Sequence, residues 1–166
     1  MTPDRSWVLY REFEQVSPNE PAAPVRLMRR RTDGGSPEKV LEQPRGTWHW
    51  SYACGVKPGS SCVMSEPEGT DIALYALDPL RGRGLKLGTI PDPSGSEPEP
   101  WSISPDGSRI ASGTNNGRIR ILSVRERTWS EISTDPGCQQ LVTTAWAADG
   151  NGFFATCRLL DSNDLL

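Results

Sequence analysis

Short runs of apolar residues, many alternating with polar ones, return along this chain at a fixed interval. Trp7-Val-Leu-Tyr-Arg-Glu-Phe13, Val25-Arg-Leu-Met28, Ile72-Ala-Leu-Tyr75 and Ile119-Arg-Ile-Leu122 all read as strands. The last three begin 47 positions apart, at 25, 72 and 119. Pro58 and Pro105 keep that interval, as do Ser61 and Ser108, and Val63 and Ile110. Agreement at independent points makes this a repeat, and a period of about 40–50 residues with several strands in it is that of propeller blades.

The best-preserved copy predicts strands over 100–104, 109–114, 118–124 and 129–133. The copy before it predicts 50–55, 61–65, 71–77 and 84–90. The first copy lacks its opening strand and predicts 7–13, 25–31 and 39–42. The last predicts only 141–146 and 152–157. No window holds an apolar stripe at helical spacing free of Gly and Pro. The fold expected is all-β, a partial β-propeller of four-stranded antiparallel blades: an incomplete blade over 1–47, blades over 48–92 and 97–134, and an incomplete blade over 138–166. The first unit is longer between Pro3 and Val25, with Asn19–Pro24 as the expected insertion. The Pro- and acid-rich stretch from Pro91 to Pro100 is a connection between blades.

Turn chemistry punctuates the repeat. In Ser104-Pro105-Asp106-Gly107, Pro105 presets the first central position of a type I turn and Asp106 suits the second. Gly107 supplies the left-handed conformation that closes a bulged hairpin. Pro3-Asp4, Pro58-Gly59 and Asp149-Gly150 are its counterparts. Asp4, Asp106 and Asp149 therefore recur because turns favour Asp. An open array of blades leaves a blade face uncovered at each end. The chain is thus expected to be part of a larger propeller, a truncated product, or an array completed by self-association.

Composition agrees: 166 residues, 35% hydrophobic, with 16 Gly and 15 Pro, suit many short strands in about one domain. A net charge of −3 implies no global attraction to nucleic acid. No apolar run approaches the roughly 18 residues of a membrane helix, and Met1-Thr-Pro-Asp-Arg5 does not open like a signal peptide.

Ser-Pro-Asp-Gly-Ser-Arg-Ile-Ala111 resembles the hallmark turn of TolB-like and WD-repeat-like bacterial propellers. The resemblance extends through Cys54-Gly-Val-Lys-Pro-Gly-Ser-Ser-Cys62, Asp78-Pro-Leu-Arg-Gly-Arg-Gly84, Ile119-Arg-Ile-Leu-Ser123 and Trp146-Ala-Ala-Asp-Gly-Asn-Gly152. It covers the chain from Trp7 to about Cys157, and the cysteine segment with the Asp78–Gly84 run is its more specific part. The similarity is to the C-terminal propeller of large acidobacterial-type signalling proteins, where it follows a serine/threonine kinase or a winged-helix domain. Neither of those domains has residues here. The resemblance implies an extracytoplasmic location if the parent is membrane-anchored, and a cytoplasmic one otherwise.

Cys54 and Cys62 flank the Lys57-Pro58-Gly59 turn. If Ser104 pairs with Ser108, the repeat register puts Cys54 opposite Met64, with Cys62 diagonal to it, near the limit of disulfide reach. Buried thiols, a disulfide and a metal site stay open, although the spacing and lack of nearby His fit zinc poorly. Cys138 and Cys157 fall three residues out of register across the last hairpin, and no bond is expected there.

Nothing points to catalysis or to a cofactor. His49 is the one histidine, beside Trp48 and Trp50, and neither a Gly-x-Ser-x-Gly elbow nor a phosphate-binding glycine loop occurs. Arg29-Arg30-Arg31 could meet an acidic partner, but a charge-guarded edge strand is the plainer reading. Trp48, Trp50, Trp101, Trp129 and Trp146 should pack between blades, with one or two at the rim as recognition anchors. The expected function is a non-enzymatic binding or sensor module for a protein or small ligand, with further blades or a second copy as structural partner. The alternatives are the propeller of a prolyl oligopeptidase-like hydrolase and an orphan repeat fragment.

Overall fold

Among the described residues strands pair only with their neighbours in sequence, so each sheet is an up-and-down meander. The computed structural model describes residues 1–13, 24–43, 51–91, 101–114, 117–134 and 137–159. The first sheet holds β1 (Trp7–Phe13), β2 (Val25–Arg31) and β3 (Glu38–Gln43). The second holds β4 (Ser51–Cys54), β5 (Cys62–Glu68), β6 (Asp71–Asp78) and β7 (Gly82–Pro91). The third holds β8 (Trp101–Ile103), β9 (Arg109–Gly113), β10 (Arg118–Ser123) and β11 (Trp129–Ser133). The fourth pairs β12 (Cys138–Trp146) with β13 (Phe153–Leu159). This is the partial propeller expected, two four-stranded blades flanked by a three-stranded and a two-stranded sheet. Most of the expected insertion and of the 91–100 connection lies outside the described residues.

Successive side chains on a strand point to opposite faces of its sheet. On the third strand of each repeat, Leu27, Leu74 and Ile121 all face the following sheet. Their neighbours Tyr75 and Leu122 face the preceding one. The 47-residue register of the sequence is therefore also a register of faces.

Three apolar clusters fill the three junctions. Leu9, Leu27, Cys62, Met64 and Leu77 meet between the first and second sheets. Val63, Ile72, Leu74, Leu87, Ile90, Ile110 and Leu122 meet between the second and third. Ala111, Ile119, Ile121, Cys138 and Leu141 meet between the third and fourth. Because the second sheet is covered on both sides, β5 is buried from Cys62 to Ser65 without the alternation of a half-exposed strand. Trp101 and Trp129 pack against the middle cluster and Trp146 against the last, as expected of tryptophans between blades.

The outer faces are different. By strand alternation Val8, Tyr10 and Met28 lie on the side of the first sheet away from the second, and Val8 is 40% exposed. On the fourth sheet Phe154 is 72% exposed.

One expectation fails on strand order. Arg29–Arg31 close β2, which is hydrogen-bonded to β1 on one side and β3 on the other, so they do not guard an edge. A three-residue charge run can end a central strand because Arg29 pairs with Glu38 across the ladder while Arg30 and Arg31 reach Gly35 and Asp33 beyond the strand's end.

Leu122 is fully buried in the middle junction. Leu122→Ala is expected to lower stability by about 2–5 kcal/mol, read as a drop in the urea midpoint with no change in slope.

Candidate functional site

The turns that lead into β1, β5, β9 and β13 share one end of the array, and in the first and third sheets their hydrogen bonds repeat atom for atom. Ser104 Oγ donates to Asp106 Oδ1 at 2.6 Å and accepts from Arg109 N at 2.9 Å. In the first sheet Thr2 Oγ1 donates to Asp4 Oδ1 at 2.6 Å and accepts from Trp7 N at 3.0 Å. Each carboxylate also accepts the backbone N–H two residues on, from Ser6, Ser108 and Asn151 for Asp4, Asp106 and Asp149. These are Asx turns, and their geometry accounts for the recurring Asp.

The following position is left-handed in all three: φ is +60° at Arg5, +72° at Gly107 and +80° at Gly150. Gly107 is needed for a second reason. A Cβ there would lie 2.3 Å from Ser61 N in the neighbouring sheet, so only glycine fits.

That contact belongs to a clasp. The buried Pro105 presents its carbonyl to two donors of the second sheet, Val56 N at 2.8 Å and Lys57 N at 2.9 Å. Across the next junction Arg109 Nη2 donates to Gly150 O at 2.5 Å, and a Cβ on Gly150 would sit 3.6 Å from Pro105 Cδ. The Arg109 guanidinium also lies 4.8 Å above the Trp146 ring. Pro105, Asp106, Gly107, Asp149 and Gly150 are thus brought together as a rigid surface.

The second sheet departs from this pattern. Ser60 N donates to Lys57 O at 3.1 Å and Gly59, not the residue after it, has positive φ at +77°. With Pro58 at the first central position this is a type II turn, and the loop it closes holds five residues between Gly55 and Ser61 where the third sheet holds four between Ser104 and Arg109. A Cβ on Gly59 would meet nothing within 4 Å. Between this turn and the first sheet lies a cleft of about 260 Å³, bounded by Thr2–Asp4, Trp7, Gly59, Ser60 and Asp78–Leu80.

The changed turn also changes the register behind it. Cys54 stands directly opposite Cys62, with Tyr52 and not Cys54 opposite Met64, and the two cysteines are joined by a disulfide across a Cα–Cα distance of 3.9 Å. The diagonal placement transferred from the third sheet is therefore wrong. That sheet itself pairs Ile103 with Ile110, which sets Ser104 against Arg109 and not Ser108. Gly55 N donates to Ser61 O at 2.9 Å, which makes the cysteines a non-hydrogen-bonded pair, the closer of the two antiparallel sites.

Cys138 and Cys157 are also joined, although Cys157 pairs with Leu141 and Cys138 with Leu159. Register shifts between Cys138 and Gln140 and between Leu141 and Thr143 swing β12 so that the Cα atoms of the two cysteines come within 5.5 Å. A regular ladder would have kept them apart, which is why the sequence argued against the bond.

The arginine run is occupied, mostly within its own sheet. Arg29 binds Glu38, donates through Nη1 to Pro79 O at 2.8 Å, and stacks 4.6 Å from the Trp7 ring. Arg30 Nε donates to Gly35 O at 3.1 Å, and Arg31 pairs with Asp33 through two bonds of 2.8 and 2.7 Å. Trp48, Trp50 and His49 lie outside the described residues. Sequence reasoning missed Trp7 and Asp78 as members of a cleft, since neither belongs to a repeated motif; the glycine displaced to position 59 was the one available signal.

Among the described residues no group of three or more His, Cys, Asp or Glu side chains is placed to hold a metal ion, and no helix is long and apolar enough to cross a membrane. No family model matches the chain, and no curated protein matches it. A functionally unknown protein from Desulfotomaculum acetoxidans DSM 771 superposes with a TM-score of 0.57 at 12% identity, over 95% of this chain and 47% of that one. An oligogalacturonate lyase in complex with manganese gives a TM-score of 0.42 at 15% identity, over 81% of this chain and 55% of that one. The chain spans about half the length of both. At such identity the first likeness concerns the fold alone, and the second is too loose to add to it.

Asp106 is held at a pKa of about 2, first by the Ser104 hydroxyl and then by the Ser108 N–H and hydroxyl. A carboxyl whose folded pKa is depressed stabilises the fold above its unfolded pKa of about 4 and loses that contribution as pH falls toward 2. Asp106→Ala is expected to cost about 1 kcal/mol at neutral pH, and urea midpoints of the two proteins should converge between pH 4 and 2. Replacing Cys138 and Cys157 together by Ser should cost about 3 kcal/mol from the reopened loop, measured the same way.

Proposed function

We propose that the chain is a segment of a TolB-like or WD-repeat-like bacterial propeller, and that it serves as a non-enzymatic recognition module of a larger signalling protein. The observation that carries this reading is the clasped turn end. Three successive sheets fix their turns against one another, through the Pro105 carbonyl at one junction and the Arg109 side chain at the next, which makes a loop-built surface of the kind on which binding residues are held. Rigidity before binding reduces the ordering cost of recognition.

Two further features support parts of the proposal. Both cysteine pairs are disulfides and no free cysteine remains. Such bonds persist in oxidising compartments, which favours the extracytoplasmic side for the module. The exposed outer faces of the first and fourth sheets favour further blades as its structural partner, because blade faces elsewhere in the array are buried.

The test is the coding frame on both sides of the chain. A kinase or winged-helix domain in frame, with strands completing the propeller, is the expected result. A hydrolase domain bearing a nucleophilic serine in frame would replace this reading with that of a gating propeller. A frame that closes at both ends of the chain would remove the signalling role. Light scattering on the isolated chain should show association, and a monodisperse monomer would count against the need for further blades.

A further inference from the structure

Of the three junctions between sheets, the first is the one where the turns do not meet. At the second, Gly107 rests on Ser60 and Ser61 and the Pro105 carbonyl takes two bonds. At the third, Gly150 touches Pro105. At the first, a Cβ on Gly59 would meet nothing within 4 Å, and the 260 Å³ cleft lies beside it. We propose that this cleft binds the basic side chain, arginine or lysine, of a protein partner. The proposal rests on reading the turn end as the binding end of the module and names the class of its ligand.

Size is the first argument. At about 30 Å³ per water the cleft holds roughly nine, which suits one long side chain. Its lining is the second. The Trp7 ring, Pro3, Pro79 and Leu80 offer apolar surface for an aliphatic stem, and Leu80 is left 59% exposed at the rim. Among the described residues its charged members are Asp4 and Asp78.

The two carboxylates have capacity to spare. Asp4 Oδ1 is spent on Thr2 and Ser6, and Asp78 Oδ1 on the Leu80 and Arg81 N–H groups at 2.8 and 3.3 Å. The Ser6 side chain hydrogen-bonds the same carboxylate, and a carboxylate with about four acceptor sites still has room for one more donor. Asp78 Oδ2 faces only Arg81, which is 4.0 Å away and whose side chain is 90% exposed, a pairing that solvent screens. The Thr2 hydroxyl holds the Asp4 carboxyl below its ordinary range, so it is ionised at neutral pH. An anion would meet two like charges, and a purely apolar guest would desolvate both without replacing their hydrogen bonds. A cation on an apolar stem satisfies each part of the lining.

The walls stand without a guest. Arg29 stacks on Trp7 and donates to Pro79 O, tying the first sheet's wall to the second's. Arg29 and Arg31, 4.6 and 5.7 Å from the Trp7 ring, are the other cations at this wall; Arg29 is engaged by Glu38 and Arg31 by Asp33.

The test is a titration of the isotopically labelled chain with N-acetyl-arginine amide, followed by NMR. Saturable shifts are expected at the Gly59, Ser60 and Leu80 amides and the Trp7 indole, with none from N-acetyl-norleucine amide at equal concentration. The Asp4→Asn, Asp78→Asn double variant keeps a side-chain oxygen for each turn and should bind about tenfold more weakly. If that variant does not fold, Leu80→Lys, at an exposed rim position, sets a competing cation at the mouth and should weaken binding about as much. Equal binding of the norleucine amide, unchanged affinity in the variant, or no saturable shift at these signals would overturn the proposal. A failed titration leaves the coding-frame result standing, so the two readings fail separately.

Discussion

Every sheet in the middle of this chain carries apolar side chains on both faces, and burying them requires a sheet on each side. The rest of the structure follows from that constraint. It makes the third-strand residues alternate between serving the preceding and the following junction. It makes β5 apolar or small from Cys62 to Ser65. It also makes the two outer faces, with Val8 and Phe154, the places where the packing stops.

Burial sets the sheets face to face but does not fix how far one slides on the next. The turn end does. The Pro105 carbonyl, held between Val56 N and Lys57 N, locks the third sheet to the second. Arg109, bridging Gly150 O and the Trp146 ring, locks the fourth to the third. Glycine appears at Gly107 because backbone must touch backbone at that point. At Lys57-Pro58-Gly59-Ser60 the positive φ moves to Gly59 and the loop gains a residue, and a cleft lies where the other junctions have a clasp. A one-residue change in a turn thus alters the surface with no change in the fold.

Much of the architecture was legible in the sequence. The 47-residue interval, the Pro-Asp-Gly turns and the absence of helical periodicity give the strands, their order and the partial-propeller form. Apolar patterning records burial directly, and burial is what a blade needs. Asp4 and Asp106 were legible too, as turn residues, because an Asx turn is local: its donor and acceptor lie within two residues of each other.

Register and contact between repeats were not legible, since both depend on atoms far apart in sequence. Transferring the third sheet's pairing to the second misplaced Cys54 against Cys62, because a type II turn and a bulged type I turn consume different numbers of residues. Bulges in β12 brought Cys138 to Cys157 against a register that forbade it. Arg29–Arg31 looked like an edge guard, and only strand order showed β2 to be central. The sequence by itself determined which residues repeat and which faces must be hidden, because hydrophobic period and turn preference act within a few residues. The tertiary structure alone decided which cysteines meet and where the turns touch or part, because those outcomes are settled by the stacking of one sheet on another.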